Sequence, residues 1–166
     1  MKQWLLQEPS PLRVILIVLA TMIIDFSYLK FLSLKVPFFK TSKLSMKIVG
    51  VKALPVTYMI LIFILACIEE MLFRLPLVIV VSPGSSPYLI LALAVLLSIG
   101  FGFAHGDPNN ILCQGVMGFL YCLVFLSCGG LSQHYGTALM ISTITHFLHN
   151  AVVDMLVCEN EKTVTT

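Results

Sequence analysis

Residues 53–81 form an apolar run longer than the roughly 20 residues a helix needs to cross the hydrocarbon of a bilayer. Comparable runs occupy residues 12–34, 88–105, 111–128 and 137–157. Between the later runs lie SPGSSP at 82–87, GDPNN at 106–110 and GGLSQHYG at 129–136, all dense in turn-forming residues. Charged residues make up only 11% of the chain and apolar ones 58%. A soluble domain carries roughly 25% charge, so this chain cannot cover a water-facing surface and lipid must be the solvent for much of it. The expected fold is all-α, a polytopic transmembrane helix bundle of about five spans.

The remaining charge is unevenly placed. Residues 35–52 hold Lys35, Lys40, Lys43, Lys47 and Lys52 with no acid among them, interspersed with Phe38, Phe39, Leu44, Met46 and Ile48. This pattern predicts an amphipathic basic segment lying at the membrane interface, on the cytoplasmic side by the positive-inside rule. Lys2 and Arg13 flank the first run at its other end and disagree mildly. No A-x-A cleavage site follows that run, so it is read as a retained helix. The chain then divides into residues 1–52 (helix plus basic segment), 53–158 (a core that carries the chemistry) and 159–166 (a polar tail). A net charge of +2 without a basic, aromatic-interleaved patch argues against nucleic-acid binding. The five cysteines form no C-x-x-C pair and are read as small buried hydrophobes.

Inside the oil sits C-I-E-E-M-L-F-R, residues 67–74. On a helix Glu70 and Arg74 share a face, with the acid N-terminal to the base, the favourable order for an ion pair. Glu69 points about 100° away and is left without a local partner. An unpaired carboxylate at low dielectric holds its charge at a cost and is ready to take a proton, the property of a general base. The same three residues also suit a purely structural ion-pair cluster. His105 ends the third run in GFGFAHGD, on the face of Phe101, with Gly100 and Gly102 allowing close backbone approach; helix-end capping would account for it equally. His146, Asn150 and Asp154 make a polar stripe on the last run, with His149 leaning the same way. Such a stripe faces the bundle interior or a wet cavity, for chemistry or for interhelical bonding. Asp25 is assigned to the interface, Asp107 to a turn with Pro108, and His134 to a loop. A single wet site built from Glu69, His105, His146 and Asn150 is the economical reading.

Three ordered motifs then stand out: Glu69-Glu70-x-x-x-Arg74, Phe101-x-x-x-His105 and His146-x-x-x-Asn150. In this the chain resembles the CAAX-processing and bacteriocin-processing protease family, also called CPBP or Abi, over about residues 55–157. The resemblance implies an intramembrane glutamic endopeptidase without an obligate metal. Glu69 with His105 would activate water, His146 and Asn150 would stabilise the oxyanion, and the Glu70–Arg74 pair would be structural. It also implies a membrane-associated protein or peptide substrate, of the prenylated CAAX or leader-peptide type. Many relatives resemble an eight-helix bundle, whereas about five spans fit here, so substrate-selecting walls are minimal or come from a second copy in a homo-oligomer. His149, inserted in H-x-x-H-N, has no role in the family pattern. The expected setting is a multi-pass position in a bacterial cytoplasmic membrane.

Rival readings use the same residues. Glu69, His105 and His146 would make a His₂Glu zinc site, although H-E-x-x-H is absent. A serine protease lacks its G-x-S-x-G on an apolar span. A catalytically inactive immunity or scaffold protein need not keep all four polar groups. A small transporter would string ionisable residues along a pathway.

Overall fold

The computed structural model describes residues 9–36, 48–82, 84–132 and 134–158. Five helices account for most of them: α1 (Pro11–Lys35), α2 (Val56–Val80), α3 (Pro87–Ala104), α4 (Val116–Ser127) and α5 (Tyr135–Met155). One π-helical turn, Ile111–Gly115, leads into α4. The expected runs and these helices agree to within a few residues. α1, α2 and α3 are each long and apolar enough to cross a bilayer, and Ile111–Ser127 forms a shorter apolar helix. The chain is a membrane protein with a helical bundle fold.

The helix starts follow from local chemistry. Ser10 and Ser86 cap α1 and α3, their hydroxyls accepting from the backbone N–H of Arg13 and Tyr88 at 3.3 Å. Each is followed by a proline, whose missing N–H costs nothing in the first turn. Pro76 does not end α2, which continues to Val80. Large apolar side chains such as Ile23, Ile64, Leu72 and Leu96 stand exposed on the outside, a surface that lipid accepts and water does not.

Contacts fix the helix directions. Descending α2 and ascending α5 meet at Glu70–His146, Phe63–Phe147 and Tyr58–Asp154, so the two are antiparallel. Arg13–Ser127, Asp25–Tyr121 and Tyr28–Leu112 run α1 antiparallel to α4. One end of the bundle therefore carries the start of α1 with the links 82–86 and 128–134. The other carries Lys35 and the start of α2, and α3 runs toward it before the link 105–110.

At that second end Ile48–Val51 (β1) pairs antiparallel with Leu156–Cys158 (β2). Ile48 faces Cys158 and Gly50 faces Val157, so Val49 is an extra, bulged residue. The last helix accordingly stops at Met155, and the end of the basic segment 35–52 is a strand. Residues 37–47 of that segment and the tail 159–166 lie outside the described residues. A β-branched pair of segments brought together by the bundle suits a ribbon better than continued helix.

α3 and the π-turn are pressed together at Gly102. A Cβ there would meet the Cα of Ile111 at 2.6 Å and the carbonyl oxygen of Asn110 at 3.0 Å. Gly100, the other glycine expected to admit a neighbour, faces only the Phe73 ring at 3.8 Å. Gly102→Ala should therefore lower the thermal stability of the purified protein by about 1–3 kcal/mol, the usual cost of overpacking, while Gly100→Ala should leave it unchanged or slightly raised. Melting of the two variants in detergent checks this.

Candidate functional site

Two neighbouring carboxylates in mid-α2 have opposite environments. The Glu70 side chain is 0% exposed and that of Glu69 is 34% exposed. Glu70 is saturated. Arg74 Nη2 donates to its Oε1 at 3.1 Å, and Arg74 Nε lies 3.0 Å from Oε2. That second approach is a charge contact, because the Nε–H is not aimed at the oxygen closely enough for a hydrogen bond. Ser142 of α5 donates to Oε2, and its hydroxyl also lies 3.0 Å from the carbonyl of Tyr121, so one proton serves two acceptors. His146 Nδ1 lies 3.3 Å from Oε1. Arg74 also donates through Nη2 to the carbonyl of Gly118 at 3.0 Å. The pair expected from spacing is thus the hub that joins α2 to α4 and α5.

His146 is buried and stands between both glutamates: Nδ1 faces Glu70, and Nε2 lies 3.5 Å from Glu69 Oε2. Only a doubly protonated ring donates on both sides; the neutral ring serves one carboxylate and leaves the other to water. Its plane rests on Tyr121, centroids 4.8 Å apart and 20° from parallel, with Phe101 edge-on at 5.8 Å.

His105 caps α3. Its Nδ1 is 2.8 Å from the carbonyl of Phe101, four residues back, and Gly106 turns the chain away at φ +87°. Asp107 Oδ1 accepts from the N–H of Asn109 at 2.7 Å, the turn the sequence suggests. Phe73 and Phe101 touch edge to face at 5.0 Å. Because α2 and α3 are antiparallel, four residues on from Phe101 corresponds to four back from Phe73, which brings exposed His105 to the level of Glu69. No hydrogen bond or ion pair joins them among the described residues. Asn150, one turn beyond His146 and half-buried, has no side-chain hydrogen bond among the described residues.

Other groups escaped the sequence reading. Ser142 lies one turn before His146 and extends the polar stripe backward, a signal available from spacing. Tyr121 sits in an apolar helix and gave none. Asp25, assigned to the interface, is buried within the bundle: it is 0% exposed, and His149 Nδ1 lies 2.5 Å from its Oδ2. Asp154 accepts from the Tyr58 hydroxyl at 2.7 Å. His134, placed in a loop, stands at the start of α5. Cys122 and Cys128 are buried and Cys67 and Cys113 half-buried, all as free thiols. Among the described residues, no three His, Cys, Asp or Glu side chains are arranged to hold a metal ion.

Residues 52–152 match the family model described as "Type II CAAX prenyl endopeptidase Rce1-like", more than half of the chain, and the match takes in both glutamates, His105, His146 and Asn150. No curated protein and no solved structure gives a significant match.

The hub makes a stability prediction. Arg74→Ala strands a buried carboxylate and should cost about 3–5 kcal/mol. Ser142→Ala should cost about 1–3 kcal/mol through the bond it removes. Thermal melts of both variants beside wild type check the order.

Proposed function

We propose that this chain, which belongs to the Rce1-like family of CAAX-type intramembrane endopeptidases, hydrolyses a peptide bond of a membrane-associated substrate by a glutamate mechanism. The observation that carries the reading is the contrast between the two carboxylates: Glu70 is closed and saturated, while Glu69 keeps an open edge against His146. A general base needs such an edge within reach of water.

In the proposed reaction a water bound between Glu69 and His105 gives its proton to Glu69. Its oxygen attacks the scissile carbonyl carbon. The Nε2–H of His146, at 3.5 Å from Glu69 and longer than a good hydrogen bond, swings its donation to the developing oxyanion. The amide of Asn150, free of other side-chain bonds among the described residues, is the second donor. As the C–N bond breaks, the proton held by Glu69 passes to the departing amine, leaving a carboxylic acid, whose own proton then passes to the free amine to give a carboxylate and an ammonium. The reaction as proposed uses only groups of this chain and calls for no metal. Glu70, Arg74 and Ser142 keep His146 in place. The substrate enters from the end that carries Lys35 and Lys52, in a multi-pass arrangement in a bacterial cytoplasmic membrane, with prenylated CAAX tails or leader peptides as the candidate class.

The test uses purified protein in liposomes with prenylated and unprenylated membrane-anchored peptides. Glu69→Gln should lower kcat by about 10²–10⁴-fold and Asn150→Ala by about 10²–10³-fold, each with an unchanged melting temperature. A strong chelator should have no effect. Activity lost to chelator and restored by zinc would instead assign a metal to Glu69, His105 and His146. Cleavage by Glu69→Gln at the wild-type rate would overturn the proposal.

A further inference from the structure

α1 precedes the family-matched residues, yet it carries a fully buried carboxylate into the bundle. Burying such a group is costly unless it is bonded. Asp25 Oδ2 receives His149 Nδ1 at 2.5 Å and the Tyr121 hydroxyl at 3.4 Å, while Oδ1 is buried with no hydrogen-bond partner among the described residues. The next residue, Phe26, lies flat on the His149 ring, 5.5 Å away and 18° from parallel. Three helices thus meet at one carboxylate that the proposed chemistry does not use.

The consequence runs through Tyr121. Its hydroxyl reaches Asp25, its carbonyl accepts from Ser142, and its ring supports His146 face to face, with His149 at its edge. The two glutamate contacts of His146, at 3.3 and 3.5 Å, are too long to set the plane of the imidazole by themselves. The Tyr121 ring sets it. His149, three residues after His146 on the same helix, clamps that turn of α5 to α1.

We infer that Asp25 and His149 are positioning residues that hold Tyr121, and through it the His146 imidazole, in the orientation the oxyanion requires. This rests on the reading of His146 given under the proposed function. A small displacement of a catalytic group costs rate rather than binding, so the unit acts on kcat. α1 becomes part of the active assembly and not only an anchor.

The experiment compares wild type, Asp25→Ala, Asp25→Asn and His149→Phe in liposomes, with a membrane-anchored peptide as substrate. Histidine ring resonances are recorded by NMR on histidine-labelled protein, His146 being assigned by its loss in His146→Ala. Asp25→Ala should lower kcat at least about tenfold at unchanged KM and displace or broaden the His146 signal. Asp25→Asn keeps an acceptor oxygen and should recover most of both. His149→Phe removes the same bond but keeps a ring against Phe26, and it should repeat the Asp25→Ala result, so the question survives if Asp25→Ala does not accumulate. Wild-type kcat, or a His146 signal unmoved in both Asp25→Ala and His149→Phe, would overturn the inference. Failure of the protease reading is distinguishable: wild type would not cleave, while the His146 signal would still respond to Asp25.

Discussion

Arg74 and Glu70 meet where neither has water to fall back on, and the helices around them are arranged to meet that demand. An ion pair at low dielectric gains from each further donor and acceptor matched around it. Here Ser142 and His146 complete the carboxylate and the Gly118 carbonyl takes one guanidinium N–H, while Arg74 Nε and Nη1 have no hydrogen-bond partner among the described residues. Ser142 and His146 come from α5 and Gly118 from α4, so satisfying one pair on α2 sets the relative placement of α2, α4 and α5. In lipid, where apolar packing alone gives helices little reason to choose one neighbour over another, that requirement supplies specificity.

The same closure around Glu70 explains the openness of Glu69. One residue along a helix turns a side chain by about 100°, enough to move a carboxylate from the saturated interior to a half-open edge. α3 is also shorter than its neighbour: it stops at His105, level with Glu69, while α2 extends about 20 Å further toward its own start. On that side Glu69 is partly exposed and His105 exposed. A buried, saturated carboxylate and a partly exposed one, adjacent in sequence, thus stand at one depth on α2.

Much of this was legible in the sequence, for a physical reason. Long apolar runs and turn-rich links report helices directly, and the i, i+4 spacing of Glu70 and Arg74 reports their pairing. Polar residues inside such runs have few partners, so His146 was bound to face other polar groups. What escaped notice depended on relations between helices. Asp25 lies near the end of an apolar core and looks interfacial until α4 and α5 are seen to cover it. Tyr121 has no local sign of its stacking on His146. That His146, and not His105, touches Glu69 follows from helix placement and not from spacing. The ribbon of β1 and β2 joins segments at opposite ends of the chain, and no periodicity in either announces the other.

The unequal accessibility of two adjacent carboxylates is open to direct measurement. The protein, reconstituted in liposomes, is treated with a water-soluble carbodiimide and an amine, and the peptide holding residues 69 and 70 is sequenced by mass spectrometry. Amide formation at Glu69 with Glu70 unmodified is the result the structure requires. Modification of Glu70 to the same extent as Glu69, or beyond it, would contradict the closed hub on which the arrangement of the site depends.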